Sequence, residues 1–140
     1  MMKSPNWLSK ILKEETVTST NDRLAELCQE KEIKEFTTLM AEYQTAGKGQ
    51  RGNSWESEYG KNLTFSTVFY PQTIAPASQF ILSMAVASAI RTALAHYVHA
   101  DCLQIKWPND IYWKDKKIVG ILIENDLTGT NVNITSAKEI

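Results

Sequence analysis

A glycine-rich loop with two cations is the part of this sequence best suited to bind an anion. Residues 47–52 read Gly-Lys-Gly-Gln-Arg-Gly. Glycines let the backbone approach a ligand closely and expose its N–H groups, while Lys48 and Arg51 concentrate positive charge in the same few residues. Such a loop suits a carboxylate or a polyphosphate, and Trp55 just beyond it is placed to stack on a base or to pack the loop down. A solvated surface turn explains the same composition.

The same loop matches the pattern G-x-G-x-x-G, but its context is wrong for a dinucleotide site. That fingerprint opens a helix and is followed about twenty residues later by an acid that binds the ribose. Here the loop runs into Asn53, Ser54 and Trp55, and position 72 is Gln72. The loop also lacks the G-K-[ST] ending of a P-loop. Neither nucleotide fold is therefore predicted.

Two further groups of charged residues flank predicted strands near the carboxyl end. In the sequence KWPND, Pro108 fixes its own φ and favours an extended residue before it, which predicts a rigid bend flanked by Lys106 and Asp110. A surface ion pair explains those two charges equally well. Lys117 begins the apolar run KIVGILIE, where it either contacts a ligand or guards a sheet edge. Gly120 within that run indicates close approach by another backbone or by a ligand.

A third group, Ser19-Thr20-Asn21, stands at a predicted helix start. Free N–H groups and hydroxyls there can hold a polar ligand group, although helix capping alone also explains these residue types. His96 and His99 are three residues apart on a predicted helix with no nearby third ligand, so they are interpreted as surface residues and no metal site is predicted.

The 140 residues suffice for one domain with its own apolar core. Hydrophobic periodicity and turn signals give the order β-α-β-β-α-β-β, which predicts an α+β domain with a mixed or antiparallel sheet packed against helices. The predicted elements are a strand at 11–17, an amphipathic helix over 22–33 after cap candidates at 18–22, strands at 37–43 and 62–70, a mostly buried helix at 76–99, and strands at 103–107 running into 111–113 and at 117–124. The polar tail after residue 125 predicts no further element.

Charge and cysteine content exclude several functional classes. Fifteen Lys+Arg against sixteen Asp+Glu give a net charge of −1, so no global positive field favours nucleic acid. Cys28 and Cys102 form no C-x-x-C pair and are predicted to be buried thiols. The apolar run at 80–90 is about half the length that a bilayer requires, and no signal-like run precedes it, so no membrane partner and a cytoplasmic location are expected.

In this order, the motifs resemble those of the biotin protein ligases, over residues 15 to 126. The motifs are Ser19-Thr20-Asn21, AEYQ leading into GKGQRGNSW, KWPND and KIVGILIE. The resemblance implies a biotin/lipoate protein ligase type of catalytic domain. It also implies Mg²⁺ and ATP as cofactors, activation of biotin to biotinyl-5′-AMP with release of pyrophosphate, and transfer to a lysine of a biotin carboxyl carrier domain. A homodimer is compatible with it.

The resemblance also implies residue roles. The biotin head group would be bound by Ser19, Thr20, Asn21 and Gln44. The carboxylate and phosphates would be covered by Lys48, Gly49, Gln50 and Arg51, with Trp55 near the adenylate. Lys117 would contact the carboxylate and the developing acyl-phosphate oxygen beside Gly120, while Lys106 and Asp110 would stabilise charge and handle the incoming amine. The catalytic candidates are thus Lys117, Arg51, Lys106 and Asp110.

The chain departs from the family pattern in two ways. This loop has Lys48, Gln50 and Asn53 where the family loop often has arginines. Lys48 keeps the positive charge but lacks the bidentate guanidinium, and Gln50 and Asn53 carry no charge. We therefore expect altered retention of the adenylate. The family's amino-terminal DNA-binding domain, later helices and carboxy-terminal SH3-like domain have no counterpart. Its later Gly-x-Gly-x-Asn-x-Asn strand has none either, unless Asn131-Val132-Asn133 in the tail is a remnant of it rather than a coincidence. We therefore expect residues 1–140 to be a partial catalytic domain whose sheet has an open edge.

Two alternatives stay open on the sequence. One is a non-catalytic biotin- or nucleotide-binding fragment that keeps the ligand contacts of the first half. The other is a lipoate ligase or octanoyltransferase, which shares the architecture but has different motifs in place of GKGQRGNSW and KWPND.

Overall fold

The computed structural model describes residues 10–49, 52–70, 78–106, 110–126 and 129–136. Its elements are β1 (Ile11–Val17), α1 (Thr20–Glu30), β2 (Thr38–Gln44), β3 (Thr64–Phe69), α2 (Ser78–Leu94), β4 (Leu103–Lys106), β5 (Asp110–Trp113), β6 (Lys116–Asp126) and β7 (Gly129–Ser136). A single 3₁₀ turn, Ala100–Cys102, precedes β4. The predicted elements before residue 125 are all present, β1 with the predicted bounds and the others with shifted ends. None of the helices within the described ranges is long and apolar enough to cross a membrane.

Within the described residues the strands form one seven-stranded mixed sheet. Its order is β1-β2-β3-β7-β6-β5-β4. Only the β1–β2 pair is parallel, with α1 as its crossover, and the other pairs described are antiparallel. The predicted α+β class with a mixed sheet is therefore confirmed.

The prediction of a structureless tail was wrong. β7 lies in the interior of the sheet, where Ile134 pairs with Phe65 of β3 on one side and with Ile121 of β6 on the other. The segment NVNIT alternates polar and β-branched residues, but its polar composition hides that period. Hydrogen bonds from two neighbouring strands stabilise β7, and composition does not report them. The described sheet ends at β1 and β4.

The helix predicted at 76–99 is shorter and more exposed than expected. α2 ends at Leu94, and its side chains at Phe80, Ile81 and Met84 are 52%, 65% and 49% exposed, whereas Ala87 is buried. Uniform apolar composition does not reveal which side of a helix meets the sheet, and here only one side does. The two cysteines, predicted to be buried, are both half-buried.

The two helices cover opposite faces of the sheet. α1 buries Leu24 and Leu27 against Val68 of β3. The next residue of β3, Phe69, packs instead with the core beneath α2. Because successive side chains of a strand point to opposite faces, the α1 core and the α2 core lie on either side of the sheet. A side chain on the α1 face can therefore approach the start of α1.

Candidate active site

The Ser-Thr-Asn segment lies at the buried start of α1, joined to two strands. Ser19 caps the helix by accepting a hydrogen bond from the Asp22 N–H at 3.1 Å. The Thr20 N–H donates to Gln44 Oε1 at 2.8 Å, and the Thr20 hydroxyl lies 2.6 Å from Ser66 Oγ. Capping and a polar cluster are thus compatible, since the Ser19 side chain caps the helix while the predicted residues Thr20 and Gln44 meet Ser66 in one buried cluster.

Gln44 connects this cluster to the glycine-rich loop. Its Oε1 accepts from Thr20, which directs Nε2 toward the loop. A Cβ at Gly47 would lie 3.0 Å from that Nε2 and would collide with the carbonyl oxygen of Trp55. Gly47 is therefore required by close packing of the loop onto itself.

The loop folds back as a narrow hairpin over β6. The Trp55 N–H donates to the Gly47 carbonyl at 2.9 Å, and Lys48 and Ser54 form an isolated antiparallel bridge. The indole of Trp55 lies on Gly120, where an added Cβ would be 2.7 Å from Cζ3. Gly120 was expected to admit a backbone or a ligand, and what approaches it is the Trp55 side chain. Gln50 and Arg51 lie outside the described residues.

A β-bulge brings Lys117 to the loop side of the sheet. The β5–β6 register shifts between Ile111, paired with Val119, and Tyr112, paired with Lys117. Ile118 and Val119 are consecutive, yet both are buried in the α2 core. The extra residue therefore reverses the alternation, and Lys117 shares the α1 face with Gly120, which regular alternation from position 117 would not allow.

Lys117 is paired at that position. Its Nζ lies 2.9 Å from Asp110 Oδ1 and 4.8 Å from the centre of the Trp55 ring. Both partners of the ion pair are about one-third exposed, so it contributes at most about 1 kcal/mol and an incoming anion can displace Asp110. Lys106, the other predicted catalytic lysine, is exposed with its Nζ 4.1 Å from the centre of the Tyr112 ring. Asp110 thus pairs with Lys117 rather than with Lys106. The bend predicted at 107–109 lies outside the described residues.

These groups line a cavity of about 520 Å³. Six of the predicted site residues contribute to it: Lys48, Gly49, Trp55, Asp110, Lys117 and Gly120. Asn53, Ser54, Ile121 and Leu122 are the other described residues that line it. The volume suits a small-molecule ligand, and two lysines from different elements suit an anionic one. Lys106 does not line this cavity.

Two carboxylates bracket the loop lysine. Lys48 Nζ lies 2.7 Å from Asp22 Oδ1 and 3.3 Å from Glu124 Oε2. The hydrogen bond to Asp22 is the main cause that raises the pKa of Lys48 above its ordinary value, and the charge of Glu124 raises this pKa further. Because the pKa is raised, the stabilisation is complete below the ordinary lysine pKa of about 10.4 and is lost as the pH rises through the shifted value.

Asp22→Asn should lower the pKa of Lys48, since it removes the main cause of the shift. An NMR titration of isotope-labelled lysine side chains measures this directly. Glu26→Gln is the matched control, because Glu26 pairs with Arg23 on the same helix. An unchanged Lys48 titration in Asp22→Asn would contradict the assigned cause.

Sequence reasoning missed Asp22, Glu124 and Ser66 as members of this region. The signal for Glu124 was available, since Gly120, Leu122 and Glu124 alternate along β6 and therefore share a face. Ser66 had no comparable signal, because its contact with Thr20 spans 46 residues. Among the described residues no group of three or more His, Cys, Asp or Glu is placed to hold a metal ion, and both His96 and His99 are exposed.

The sequence matches the Biotin/lipoate A/B protein ligase family over residues 14–137. The chain belongs to this family. Among relatives, it is 39% identical over 113 residues to the bifunctional ligase/repressor BirA of Escherichia coli, covering 81% of this chain and 33% of that protein. It is 35% identical over 130 residues to the biotin–protein ligase of Homo sapiens, covering 87% of this chain and 18% of the human protein.

Solved structures of the family share the fold. The biotin protein ligase of Leishmania major in complex with biotin matches with a TM-score of 0.78 and 30% identity, over 91% of this chain and 56% of that one. The Aquifex aeolicus biotin protein ligase in complex with biotin and ATP matches with a TM-score of 0.71 and 28% identity, over 94% of this chain and 55% of that one. This family member thus spans about one third or less of those two curated relatives and a little over half of those two structures.

Proposed function

We propose that the chain activates biotin with ATP to biotinyl-5′-AMP and transfers the biotinyl group to a lysine of a biotin carrier domain. The observation that carries the proposal is the placement of Lys48 and Lys117 around one cavity beside a buried polar cluster. Relatives named as biotin–protein ligases and a family structure with bound biotin and ATP support it. Mg²⁺ with the ATP, the carrier domain as acceptor, a homodimer and a cytoplasmic location are parts of the same proposal.

The first step joins two anions, and the cavity supplies fixed cations for it. A carboxylate oxygen of biotin attacks the α-phosphorus of ATP, the bond from that phosphorus to the bridging oxygen breaks, and pyrophosphate leaves. Lys48 and Lys117 reduce the repulsion between carboxylate and triphosphate before the attack and stabilise the charge that develops during it. Mg²⁺, when bound, would neutralise phosphate charge. Arg51 and Gln50 are proposed to cover the phosphates, as the resemblance implies.

The buried cluster would hold the head group of biotin. Asn21 Oδ1 is buried and has no hydrogen-bond partner within the part of the chain that the structure describes. A buried acceptor left unpaired costs about 1–3 kcal/mol, so a ligand N–H placed there gains that amount. The ureido ring of biotin carries two N–H groups, whereas the dithiolane ring of lipoate has none. This orphaned acceptor favours biotin over the lipoate alternative.

In the second step the acceptor lysine amine attacks the acyl carbon of the adenylate, and AMP leaves. The amine must lose a proton to become nucleophilic, and among the described residues that line the cavity Asp110 is the carboxylate. Once an anion engages Lys117, Asp110 is free to take that proton or to orient the amine. Lys106, exposed beyond the cavity, is proposed to steer the acceptor rather than to contact the reacting atoms.

The purified chain, incubated with biotin and Mg-ATP, tests the proposal. We expect pyrophosphate release together with calorimetric biotin binding, and lipoate in place of biotin serves as the control. Binding without release would support the non-catalytic alternative instead. Failure of both would contradict the proposal for this chain.

A further inference from the structure

One carboxylate, that of Glu124, contacts both the buried cluster and the cationic loop. Its Oε1 accepts a hydrogen bond from Asn21 Nδ2 at 3.0 Å, and its Oε2 lies 3.3 Å from Lys48 Nζ. Asn21 is 2% exposed, whereas the side chain of Glu124 is 42% exposed. The two oxygens of Glu124 therefore join the start of α1 to the loop from a position on β6.

The chemistry of this contact determines how the Asn21 amide is turned. An ionised carboxylate only accepts hydrogen bonds, so the NH₂ of Asn21 must face Glu124. The amide oxygen then points away from Glu124, and it is the atom left buried without a partner among the described residues. If the amide were reversed, its oxygen would face the carboxylate and the NH₂ would be the buried group left unpartnered. Glu124 thus makes the unpartnered group of Asn21 an acceptor.

We infer that Glu124 is a positioning residue that gives the site its requirement for a ligand N–H and holds Lys48 near the anionic end of the same ligand. The inference rests on the proposed function, in which the ligand is biotin and the donor is a ureido N–H. A site built to bond a ligand N–H rejects the analogue without it strongly, because the buried protein group is then left unpaired.

Asp22 allows the two effects of Glu124 to be separated. It contacts Lys48 at 2.7 Å from α1, while the Asn21 amide is bonded to Glu124. Its side chain is 48% exposed, so its pair with Lys48 contributes at most about 1 kcal/mol. Removing the charge of Asp22 therefore perturbs the loop lysine without releasing the amide of Asn21.

Calorimetric titration of the chain with biotin and with biotin methylated on its ureido nitrogens tests the inference. Glu124→Gln keeps the size of the side chain but adds a donor, so the Asn21 amide is no longer held one way. We expect it to weaken biotin binding about tenfold, or about 1.4 kcal/mol, and to narrow the preference for biotin over the methylated analogue. Asp22→Asn should stay within about twofold of the wild type with the preference intact, and Glu26→Gln should not change binding.

Asn21→Ala provides the second arm. It removes the acceptor itself, so it should lose the same preference, and adding Glu124→Gln to it should change little further. Thermal unfolding identifies any variant that fails to fold. If Glu124→Gln does not fold, the ligand preference of Asn21→Ala tests the inference by itself. A wild-type preference retained in folded Glu124→Gln or in Asn21→Ala overturns the inference while the proposed function stands. A wild-type chain that binds no biotin overturns both.

Discussion

Replacing Lys117 with alanine should lower the rate of biotinyl-5′-AMP formation by about 100-fold or more while the chain remains folded. Loss of one preorganised charge-stabilising group in a reacting site typically costs that much. The expected cost to stability is small, because the pair with Asp110 is about one-third exposed and contributes at most about 1 kcal/mol. The measurement is pyrophosphate release at saturating biotin and Mg-ATP, with thermal unfolding recorded in parallel.

Lys116→Ala is the matched control for this prediction. Lys116 precedes Lys117 on β6 and is exposed, and it is not among the residues that line the cavity. We expect it to keep the wild-type rate. Lys117→Arg retains the charge in a side chain of different shape, so its rate of pyrophosphate release should lie between those of Lys117→Ala and Lys116→Ala. Wild-type pyrophosphate release by Lys117→Ala would remove Lys117 from the reaction.

The contrast between the two lysines shows where sequence reasoning reached its limit. Lys106 and Lys117 both stand beside strands, and the sequence makes both catalytic candidates. Lys106 lies on the α1 face by regular pairing with Asp110, whereas Lys117 reaches that face only through the bulge at Ile118–Val119. What separates them is position, since Lys106 lies over Tyr112 on β4, the end strand of the described sheet, and Lys117 lies over Trp55 on β6. A bulge arises from pairing between two strands, so the sequence of one strand alone does not predict it.

What the sequence did predict depends on local patterns. The cap at the start of α1 and its amphipathic character follow from helix signals within a few residues, and both are present: Ser19 caps the helix, and Leu24 and Leu27 are buried. β7 and the long-range contact of Glu124 with Asn21 depend instead on pairing across the sheet. Local periodicity is thus sufficient for most elements, and the missed features are those that only tertiary pairing creates.

The packing of Trp55 on Gly120 leads to the second large effect. Alanine ordinarily stabilises a strand relative to glycine, because glycine loses more backbone freedom on folding. At Gly120 the added Cβ would lie 2.7 Å from the Trp55 ring, so the ring must move. Lys117 Nζ lies over that ring and would move with it. We therefore expect Gly120→Ala to lower the free energy of unfolding by about 1–3 kcal/mol and to reduce adenylate formation at least tenfold.

A double-mutant cycle distinguishes this clash from a general intolerance of alanine in β6. Trp55→Leu removes the ring that the new Cβ would meet, so Gly120→Ala added to it should be neutral or stabilising in denaturant unfolding. The same loss of stability in both backgrounds would show that the ring is not the cause. If the coupling is found, the indole can pack against the sheet only because residue 120 has no Cβ. Gly120 would then act on the reaction through the wall that supports Lys117, rather than by giving the ligand access to the backbone.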